Sequence, residues 1–326
     1  MKICVTGITG FVGGAAANYF ADRGHSVIGI GRKKRLPQHI NQKCEYIKSD
    51  ITKPLHPFDA DVVIHAAGLA SDKAGYDSLH LTNVIGTDNV LKASKSASCF
   101  IYISSSSVYN FNIPVATEKD AGGNFNSLSA YGKTKFLAEK LVLNSRDVQN
   151  KFILRPRAIY GVNDSVLLPR LLRLVKTKVL VLPAHLTKNI SLTHIDNLLA
   201  AINSCVRMQT PTPLIINVAD KEIYNLNHIL TILLPAVTNQ KLKVLKVPCR
   251  LWEVMIYMNE LIRFNSSLTR FATSSLTKDA VLNIDTAYSA LEYAPVKNFD
   301  NSYLEIAKWI NNTGGWKTYL RNIDMK

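Results

Sequence analysis

The sequence lacks the features that would mark a membrane, secreted or metal-binding protein. No run approaches the roughly 18 apolar residues of a membrane-spanning helix, and the first residues read as a strand, without a signal-peptide core. The five cysteines, Cys4, Cys44, Cys99, Cys205 and Cys249, are odd in number and scattered without metal-ligand spacing. We therefore expect a soluble, cytoplasmic protein with reduced thiols, no spanning segment and no metal site.

Acidic residues are few relative to basic ones. The chain has 39 Lys and Arg against 24 Asp and Glu, which gives a net charge of +15 at neutral pH. Such an excess can indicate nucleic acid, an acidic membrane surface or a phosphorylated ligand. The basic residues are mostly dispersed, and no nucleic-acid motif or basic-aromatic array accompanies them, so we expect no nucleic-acid partner. The one dense basic run covers residues 32–35.

The chain does contain a regular alternation of apolar strands and helical stretches. A composition of 47% hydrophobic and 19% charged residues is ordinary for a soluble globular protein. The predicted strands are residues 2–6, 25–31, 44–47, 61–65, 100–104 and 152–155. Apolar strands that alternate with helices are typical of a parallel sheet covered on both faces. The prediction is an α/β fold with a doubly wound parallel sheet.

A glycine-rich turn follows the first strand. Gly7, Gly10 and Gly13 lie where residues 2–6 meet the first predicted helix, and without side chains they let backbone N–H groups approach a pyrophosphate. A glycine pattern alone is a weak signal, but here it has the strand before it, the helix after it and further strands beyond. We therefore predict a Rossmann NAD(P)-binding domain; the alternative is a tight turn with a purely structural role.

The alternation ends beyond Pro156, which indicates a second unit. Residues 214–218 look like a strand that returns to the sheet. We predict that the Rossmann domain covers residues 1–160, with 185–220 returning to it, and that a smaller C-terminal substrate-binding lobe lies within 161–326.

The end of the second strand bears on the choice of cofactor. An NAD site usually has Asp or Glu there to accept hydrogen bonds from the ribose hydroxyls, whereas this chain has Gly31 followed by Arg32. The missing carboxylate removes repulsion toward a 2′-phosphate, and a guanidinium can bind phosphate bidentately. NADP is therefore favoured over NAD; the alternative is a hydrated loop at residues 32–35. Asp50, after the third strand, could contact the adenine or simply form a turn.

Tyr131 and Lys135 form a candidate catalytic pair. They lie four residues apart in a run of good helix formers, so a helix would place both on one face. Free tyrosine has a pKa near ~10, and a neighbouring ammonium would favour the phenolate. Such a pair can exchange a proton with a carbonyl oxygen while hydride is transferred at carbon. A second Tyr-x-x-x-Lys, Tyr293 to Lys297, contains Pro295, so no helix holds its side chains together.

Four serines, residues 104–107, end the fifth strand. Ligands of such folds bind at the carboxyl ends of the strands, so a hydroxyl there could polarise a carbonyl. A serine run after a strand is also an ordinary loop.

Seven motifs, taken in order, resemble the extended short-chain dehydrogenase/reductases. These are NAD(P)-dependent epimerases, dehydratases and sugar or sterol dehydrogenases. The resemblance covers nearly the whole chain, and its motifs occupy residues 6–13, 61–67, 83–87, 104–109, 131–135, 154–161 and 194–197. Seven ordered matches are far more specific than any single one.

The resemblance implies roles for individual residues. Ser105 stands four residues before Tyr109, where the family has its catalytic Ser or Thr, although Asn110 replaces the usual glycine. Tyr131 is the implied acid/base, and Lys135 is the residue that holds the ribose and lowers the tyrosine pKa. The predicted cofactor contacts are Gly7, Thr9, Gly10, Phe11, Val12, Arg32, Asp50, Ile51, Ala66, Ala67, Gly68, Asn83, Tyr131, Lys135 and Arg155. For Asn83, a structural role near the active site is the alternative.

The resemblance leaves the substrate open. Nucleotide-sugar epimerases of the family usually carry an arginine six residues before the pair that corresponds to Asp196 and Asn197, and this chain has Ile190 there. Residues 155–161, the Asp196–Asn197 pair and residues 268–271 are similar to the 3β-hydroxysteroid dehydrogenase-like branch, which includes bacterial reductases of apolar β-keto or sterol-like substrates. Residues 187–198 resemble 4-keto-sugar reductases.

The favoured interpretation is an oxidoreductase that interconverts a ketone and a secondary alcohol on a small-molecule substrate. One alternative is a nucleotide-sugar epimerase or dehydratase, which uses the same triad but regenerates its cofactor each turnover. Another is a non-catalytic protein that senses NAD(P). The resemblance also implies a homodimer through helices near residues 84–97 and 131–145.

Overall fold

Most of the chain has a defined placement. The structure is a computed structural model that describes residues 1–71, 74–176, 178–184, 188–208, 213–248, 250–251, 254 and 279–324. Within these ranges, no helix combines the length and the apolar character needed to cross a bilayer. Cys4, Cys44, Cys99 and Cys205 are buried free thiols, and Cys249 lies outside the described residues. The expected reducing compartment stays a prediction.

Strands and helices alternate through the first 156 residues. In chain order they are β1 (Lys2–Thr6), α1 (Phe11–Ala21), β2 (Ser26–Gly31), β3 (Glu45–Lys48), β4 (Val62–His65), α2 (Tyr76–His80), a π-helical turn (Leu81–Ile85), α3 (Gly86–Ala93), β5 (Cys99–Ile103), β6 (Val115–Ala116), α4 (Ala130–Asn144) and β7 (Asn150–Pro156). Short 3₁₀ turns cover Ser106–Val108, Glu118–Asp120 and Phe125–Ser127. Every residue of β4 and β5 is buried, which is typical of central strands covered on both faces. The predicted strands are confirmed to within one or two residues at each end.

The second half has shorter strands and more irregular connections. Its elements are β8 (Ile159–Tyr160), α5 (Leu167–Leu172), β9 (Val175–Lys176), β10 (Val179–Pro183), β11 (Asn189–Ile190), β12 (Thr193–His194), α6 (Ile195–Arg207), β13 (Pro213–Val218), β14 (Tyr224–Asn225), α7 (Leu226–Thr238), β15 (Lys243–Val247), β16 (Val281–Leu282), α8 (Asp285–Leu291), α9 (Phe299–Asn312) and α10 (Gly315–Asp324). Tyr293 to Lys297 lies between α8 and α9, outside any helix, as Pro295 predicted.

Seven parallel strands form the central sheet. Their order is β13-β7-β5-β4-β1-β2-β3, so β13 does return to the sheet beside β7. The strand order reverses at β1, where Thr6 pairs with His65 of β4 on one side and with Ile30 of β2 on the other. In such sheets the crevice at the carboxyl ends beside the reversal is the ligand site. The predicted α/β, doubly wound architecture is confirmed.

Helices cover both faces of the sheet. One face packs α1 and α6 against the strands, with Phe20 and Ile202 fully buried. The other face packs α3 and α4, with Val90 and Val142 fully buried. Burial of apolar surface on two faces is the main stabilising contribution to such a sheet.

A separate apolar cluster lies outside the sheet. It joins α5, α7, α9 and α10 with β10, and its members include Leu172, Leu230, Phe299 and Ile310. Helix α8 instead packs with the sheet, because Ala287 and Leu291 belong to the cluster of the first face. The boundary of the substrate-binding lobe stays a prediction.

Candidate active site

Glycine is required at two positions of the turn between β1 and α1. Gly7 has a left-handed φ of +70°, and a Cβ there would lie 2.8 Å from the backbone nitrogen of Ala67. A Cβ on Gly13 would lie 2.3 Å from the carbonyl oxygen of Gly7. The glycines therefore bring α1, the turn and the residues after β4 into close contact at the carboxyl edge of the sheet.

The N-terminus of α1 fits the pyrophosphate of a dinucleotide. Gly10 is the N-cap and has no side chain to accept from the first-turn N–H groups, and that turn contains no acidic residue. These N–H donors and the positive end of the helix dipole favour an anion. Thr9, Phe11 and Val12 lie on the same turn and are partly buried. The residues present therefore suit a nicotinamide dinucleotide at this edge.

A buried hydrogen-bond chain joins the ends of β1 and β4 to α3. The Ala67 N–H donates to Thr6 Oγ1 at 3.2 Å, and Thr6 Oγ1 lies 2.6 Å from His65 Nδ1. His65 Nε2 lies 2.9 Å from Thr87 Oγ1, which donates to a backbone carbonyl of the π-helical turn at 2.6 Å. Because the Thr87 proton is used there, His65 donates through Nε2 and accepts from Thr6 at Nδ1. Burial lowers the pKa of His65 to about 3, so the ring is neutral.

Asn83 ties the loop after β4 to α4. Its Oδ1 accepts from the Leu69 N–H at 2.7 Å, while its Nδ2 donates to the Leu69 carbonyl and to Thr134 Oγ1, both at 3.1 Å. Asn83 is 1% exposed and lies in the π-helical turn, a distortion that is frequent at functional sites. The structure gives it a positioning role toward residues 66–68, and a direct contact with the cofactor stays a prediction.

Two of the other predicted cofactor contacts lie around the end of β2. Arg32 is exposed directly after Gly31. The pKa of Asp50 is lowered, first by hydrogen bonding from Thr52 and further by the charge of Arg32, so Arg32 and Asp50 are electrostatic neighbours. Asp50 also forms the predicted turn through Thr52. Ile51 is 6% exposed and packs beneath α3, which leaves its side chain little surface for a ligand.

Ser105 caps the 3₁₀ turn that follows β5. Its Oγ accepts from the Ser107 N–H at 3.1 Å and donates to Ser107 Oγ at 3.1 Å. The preceding residue still belongs to the sheet, because the Ser104 N–H donates to the Leu154 carbonyl at 2.7 Å. Ser105 therefore stands at the carboxyl end of β5, partly buried, beside the crevice.

The first turn of α4 docks on this serine turn. Ser129 caps the helix by accepting from the Gly132 N–H at 3.0 Å. A Cβ on Gly132 would lie only 2.1 Å from the carbonyl oxygen of Ser107, so the two backbones are in direct contact. Tyr131, which precedes Gly132, is thereby placed beside the serine turn. Only the tertiary packing of α4 on β5 makes this juxtaposition.

Lys135 lies one turn further along α4 and is 4% exposed. Its Nζ donates to the Ile103 carbonyl at 2.7 Å and lies 4.1 Å from the centre of the Tyr102 ring. Tyr131 also acts electrostatically on Tyr102, so both members of the pair border this ring. Burial lowers the pKa of Lys135 from 10.5 to about 7. The ammonium is therefore held at the strand end at an energetic cost, which is common at functional sites.

Arg155 forms a buried ion pair with Glu139 of α4. Its Nε and Nη2 donate to the two Glu139 oxygens at 2.9 and 2.6 Å, and its Nη1 donates to the Tyr109 hydroxyl and the Glu118 carbonyl. Glu139 also accepts from Ser104 Oγ at 2.5 Å. Arg155 is 1% exposed. Its side chain therefore fixes α4 against β5 and β7, and the predicted cofactor contact would require these bonds to break.

Sequence reasoning missed the carboxylate and the histidine that hold this arrangement. Glu139 lies four residues after Lys135 on α4, and this spacing could have indicated a carboxylate close to Lys135. No pattern in the sequence indicated that Glu139 pairs with Arg155. His65 is the last residue of the apolar strand β4, where a lone histidine gives no signal by itself. Residues 268–271, which carried part of the resemblance, lie outside the described residues.

Comparison with protein families agrees with this geometry. The family model described as NAD dependent epimerase/dehydratase family matches residues 3–219. The chain belongs to that family. Membership in this family confirms the resemblance to the extended short-chain dehydrogenase/reductases that the motifs predicted.

Among curated relatives, reductases and dehydrogenases are similar to the chain. It is 35% identical over 209 residues to 2-alkyl-3-oxoalkanoate reductase of Stenotrophomonas maltophilia, an alignment that covers 60% of this chain and 62% of the relative. It is 30% identical over 229 residues to 3 beta-hydroxysteroid dehydrogenase/Delta 5→4-isomerase of Mycobacterium tuberculosis, which covers 61% of this chain and 58% of the relative. The chain thus matches less than two thirds of the length of either relative.

Among solved structures, UDP-glucuronic acid 4-epimerase from Bacillus cereus in complex with NAD is similar over nearly the whole chain. The TM-score is 0.71 with 21% sequence identity, and the match covers 96% of this chain and 99% of the other. At this identity the similarity establishes the fold.

Proposed function

We propose that the protein is an NAD(P)-dependent oxidoreductase that interconverts a ketone and a secondary alcohol. The observation that carries the proposal is the contact between Gly132 and the Ser107 carbonyl, which brings the first turn of α4 onto the serine turn. Tyr131 and Ser105 lie within two residues of that contact, and Lys135 bonds the last residue of β5. A phenol, a hydroxyl and an ammonium at one strand end, near a dinucleotide-type glycine turn, suit proton and hydride exchange at a carbonyl.

The chain would hold the cofactor along the carboxyl ends of its strands. The first turn of α1 would bind the pyrophosphate, and residues 66–68, tied down by Asn83 and Thr6, would border the dinucleotide. When bound, a nicotinamide dinucleotide supplies a hydride, with its two electrons, to the carbonyl carbon or accepts one from the alcohol carbon.

Each member of the triad has a separate task. In reduction, the Tyr131 hydroxyl donates its proton to the carbonyl oxygen and recovers one from solvent; in oxidation it accepts the alcohol proton. The positive charge of Lys135 stabilises the phenolate that this exchange forms. Ser105 donates a hydrogen bond to the substrate oxygen and orients it.

We propose NADP as the preferred cofactor. Gly31 leaves no carboxylate at the end of β2, and Arg32 is exposed directly beside it. In Arg32→Ala we expect the KM for NADPH to rise about 10-fold with little change for NADH, because a charge-assisted phosphate contact is lost. Lys34→Ala, a change at another exposed cation of the same loop, is the matched control. Equal effects on both cofactors would contradict the assignment.

For the substrate, we propose a β-keto carboxylate with apolar substituents or its 3-hydroxy product. The name of the relative from Stenotrophomonas maltophilia supports this class. Ile190, where nucleotide-sugar epimerases usually have arginine, is 7% exposed within the apolar cluster of the lobe, so it supplies no cation for a nucleotide phosphate.

A nucleotide-sugar epimerase is the second candidate, favoured by the full-length similarity to the UDP-glucuronic acid 4-epimerase. The two functions differ in what happens to the cofactor. An epimerase regenerates its cofactor and keeps it bound, whereas a reductase consumes added NADPH in proportion to the ketone. Steady consumption of NADPH with a ketone excludes the epimerase, and inversion of a UDP-sugar without consumption excludes the reductase.

Tyr131→Phe tests the catalytic assignment. We expect turnover to fall at least about 100-fold, since general acid-base catalysis contributes that much, while cofactor affinity measured by titration stays within about twofold. Tyr288→Phe, at a partly exposed tyrosine of α8, is the control. An unchanged rate in Tyr131→Phe would reject the triad, and a wild type that binds NADPH without any turnover would favour the non-catalytic sensor.

We also propose a homodimer through the helices around α3 and α4. Leu81 and Ile85 are 48% and 39% exposed and lie one helical turn apart, which supports an apolar contact surface there. Leu81→Glu should give a monomer by light scattering, whereas Leu304→Glu, at a 62% exposed position on α9, should leave the mass unchanged. A monomeric wild type would contradict the proposal.

A further inference from the structure

Arg157 has a guanidinium that is largely unused by the described residues, although part of it is buried. It directly follows β7, and its Nη1 donates to Ser106 Oγ at 3.3 Å. Its Nε is buried and has no hydrogen-bond acceptor, and in the part of the chain that the structure describes no carboxylate lies within ion-pair distance of it. A buried donor without a partner costs free energy, so it calls for an explanation.

The surroundings hold this guanidinium in one orientation. The Arg157 N–H donates to Thr193 Oγ1 at 3.0 Å, and Thr193 donates back to the Arg157 carbonyl at 2.9 Å, which fixes the backbone. The guanidinium carbon lies 4.5 Å from the centre of the Phe111 ring. An arginine over an aromatic ring keeps its in-plane N–H groups available. Nη1 bonds Ser106, while Nε and Nη2 form the second edge of the guanidinium and have no hydrogen bond to the residues that the structure describes. This edge matches the two oxygens of a carboxylate.

A second buried cation lies nearby. Lys188 precedes β11, is 5% exposed, and acts electrostatically on the same region as Arg157. Burial, and then the charge of Arg157, lowers the pKa of Lys188 to about 8 against the opposing effect of Asp279. Burial lowers the pKa of Arg157 to about 10. The repulsion between these two cations, which Asp279 offsets only in part, favours an anion beside them.

We propose that Arg157, supported by Lys188, binds the carboxylate of the substrate, which is a 3-oxoalkanoate or its 3-hydroxy product. The assignment rests on the proposed function and names the group that sets its specificity. Arg157 bonds Ser106, the residue next to Ser105, which places its guanidinium close to the serine turn that carries the hydroxyl proposed to orient the substrate oxygen. In a 3-oxo acid a single carbon separates the carboxylate from the carbonyl carbon, which suits two neighbouring subsites of this kind.

A matched substrate pair tests the proposal. A 2-alkyl-3-hydroxyalkanoate and its methyl ester, both stable in water, are oxidised with NADP or NAD while the reduced nicotinamide is followed by absorbance. In Arg157→Gln we expect the KM for the acid to rise about 10- to 100-fold, as for the loss of a charge-assisted bidentate contact, with the KM for the ester within about twofold. Lys188→Gln should also raise the KM for the acid and not for the ester, by a smaller factor. For Arg157→Lys, the KM for the acid should lie between the values of Arg157→Gln and wild type.

A binding measurement separates positioning of the acid from general damage to the site. A saturated 2-alkylalkanoate, which has no 3-oxygen to react, should raise the melting temperature of the wild type and not that of Arg157→Gln. Equal KM changes for acid and ester, or equal stabilisation of both proteins, would overturn the carboxylate assignment alone. Wild-type turnover of the ester without preference for the acid would do the same, whereas no turnover of either compound or of any other secondary alcohol would overturn the proposed function with it.

Discussion

Arg155 and Arg157 lie two residues apart at the end of the same strand, yet their surroundings differ completely. Arg155 donates to both oxygens of Glu139, to Tyr109 and to a backbone carbonyl. Among the described residues, the Arg157 guanidinium makes a single long hydrogen bond, to Ser106. Both are removed from solvent enough for burial to act on their pKa. A paired buried cation holds the fold together. An unpaired one costs stability and is better explained by a ligand that supplies the missing charge.

The largest expected effect is at the paired arginine. Arg155→Met should lower the free energy of unfolding by about 3–5 kcal/mol, because it leaves Glu139 buried and uncompensated. Urea denaturation measures the loss. The double variant Arg155→Met/Glu139→Met should lose less than the sum of the two single variants, and strict additivity would show that the pair is not coupled.

The stability change expected at Lys135 lies between those of the two arginines, because Lys135 is buried without a bidentate partner. The size of this change depends on pH. Its folded-state pKa of about 7 lies below the unfolded value of 10.5, so between these values the unfolded chain binds more protons and wild-type stability rises with pH. Below pH 7 the buried charge carries its full cost. Lys135→Met removes this titration, so the stability of the variant relative to wild type should be greatest at pH 6 and decline by on the order of 4 kcal/mol toward pH 10. Thermal melts of the cofactor-free proteins measure this difference, and a pH-independent difference would contradict the burial of the ammonium.

The smallest stability change is expected at the unpaired arginine. Arg157→Met should change the free energy of unfolding by no more than about 1 kcal/mol, and in the stabilising direction, because no acid loses its partner and a buried unsatisfied N–H is removed. The same denaturation experiment as for Arg155 gives the comparison directly. A loss of several kcal/mol at Arg157 would assign it a structural role like that of Arg155.

The alternation of apolar strands and helices was sufficient to predict the sheet and its first six strands. Continuous burial of β4 and β5 is what apolar runs such as residues 62–65 indicate. The packing of α8 against the sheet was not predicted, because the apolar positions Ala287 and Leu291 are compatible with either cluster. Local periodicity reports that a face is buried, without saying against which partner.

The sequence by itself determined the glycine turn, the helix that carries Tyr131 and Lys135, and the membership of the family, because these depend on spacing within a few neighbouring residues. Only the tertiary structure decided that Gly132 contacts the carbonyl of Ser107. It also decided that the Arg155 guanidinium is paired with Glu139, whereas the Arg157 Nε has no hydrogen-bond partner among the described residues. The reason is physical. Whether a buried charge is paired depends on groups that are distant in the chain and adjacent in space, and no local pattern records that distance.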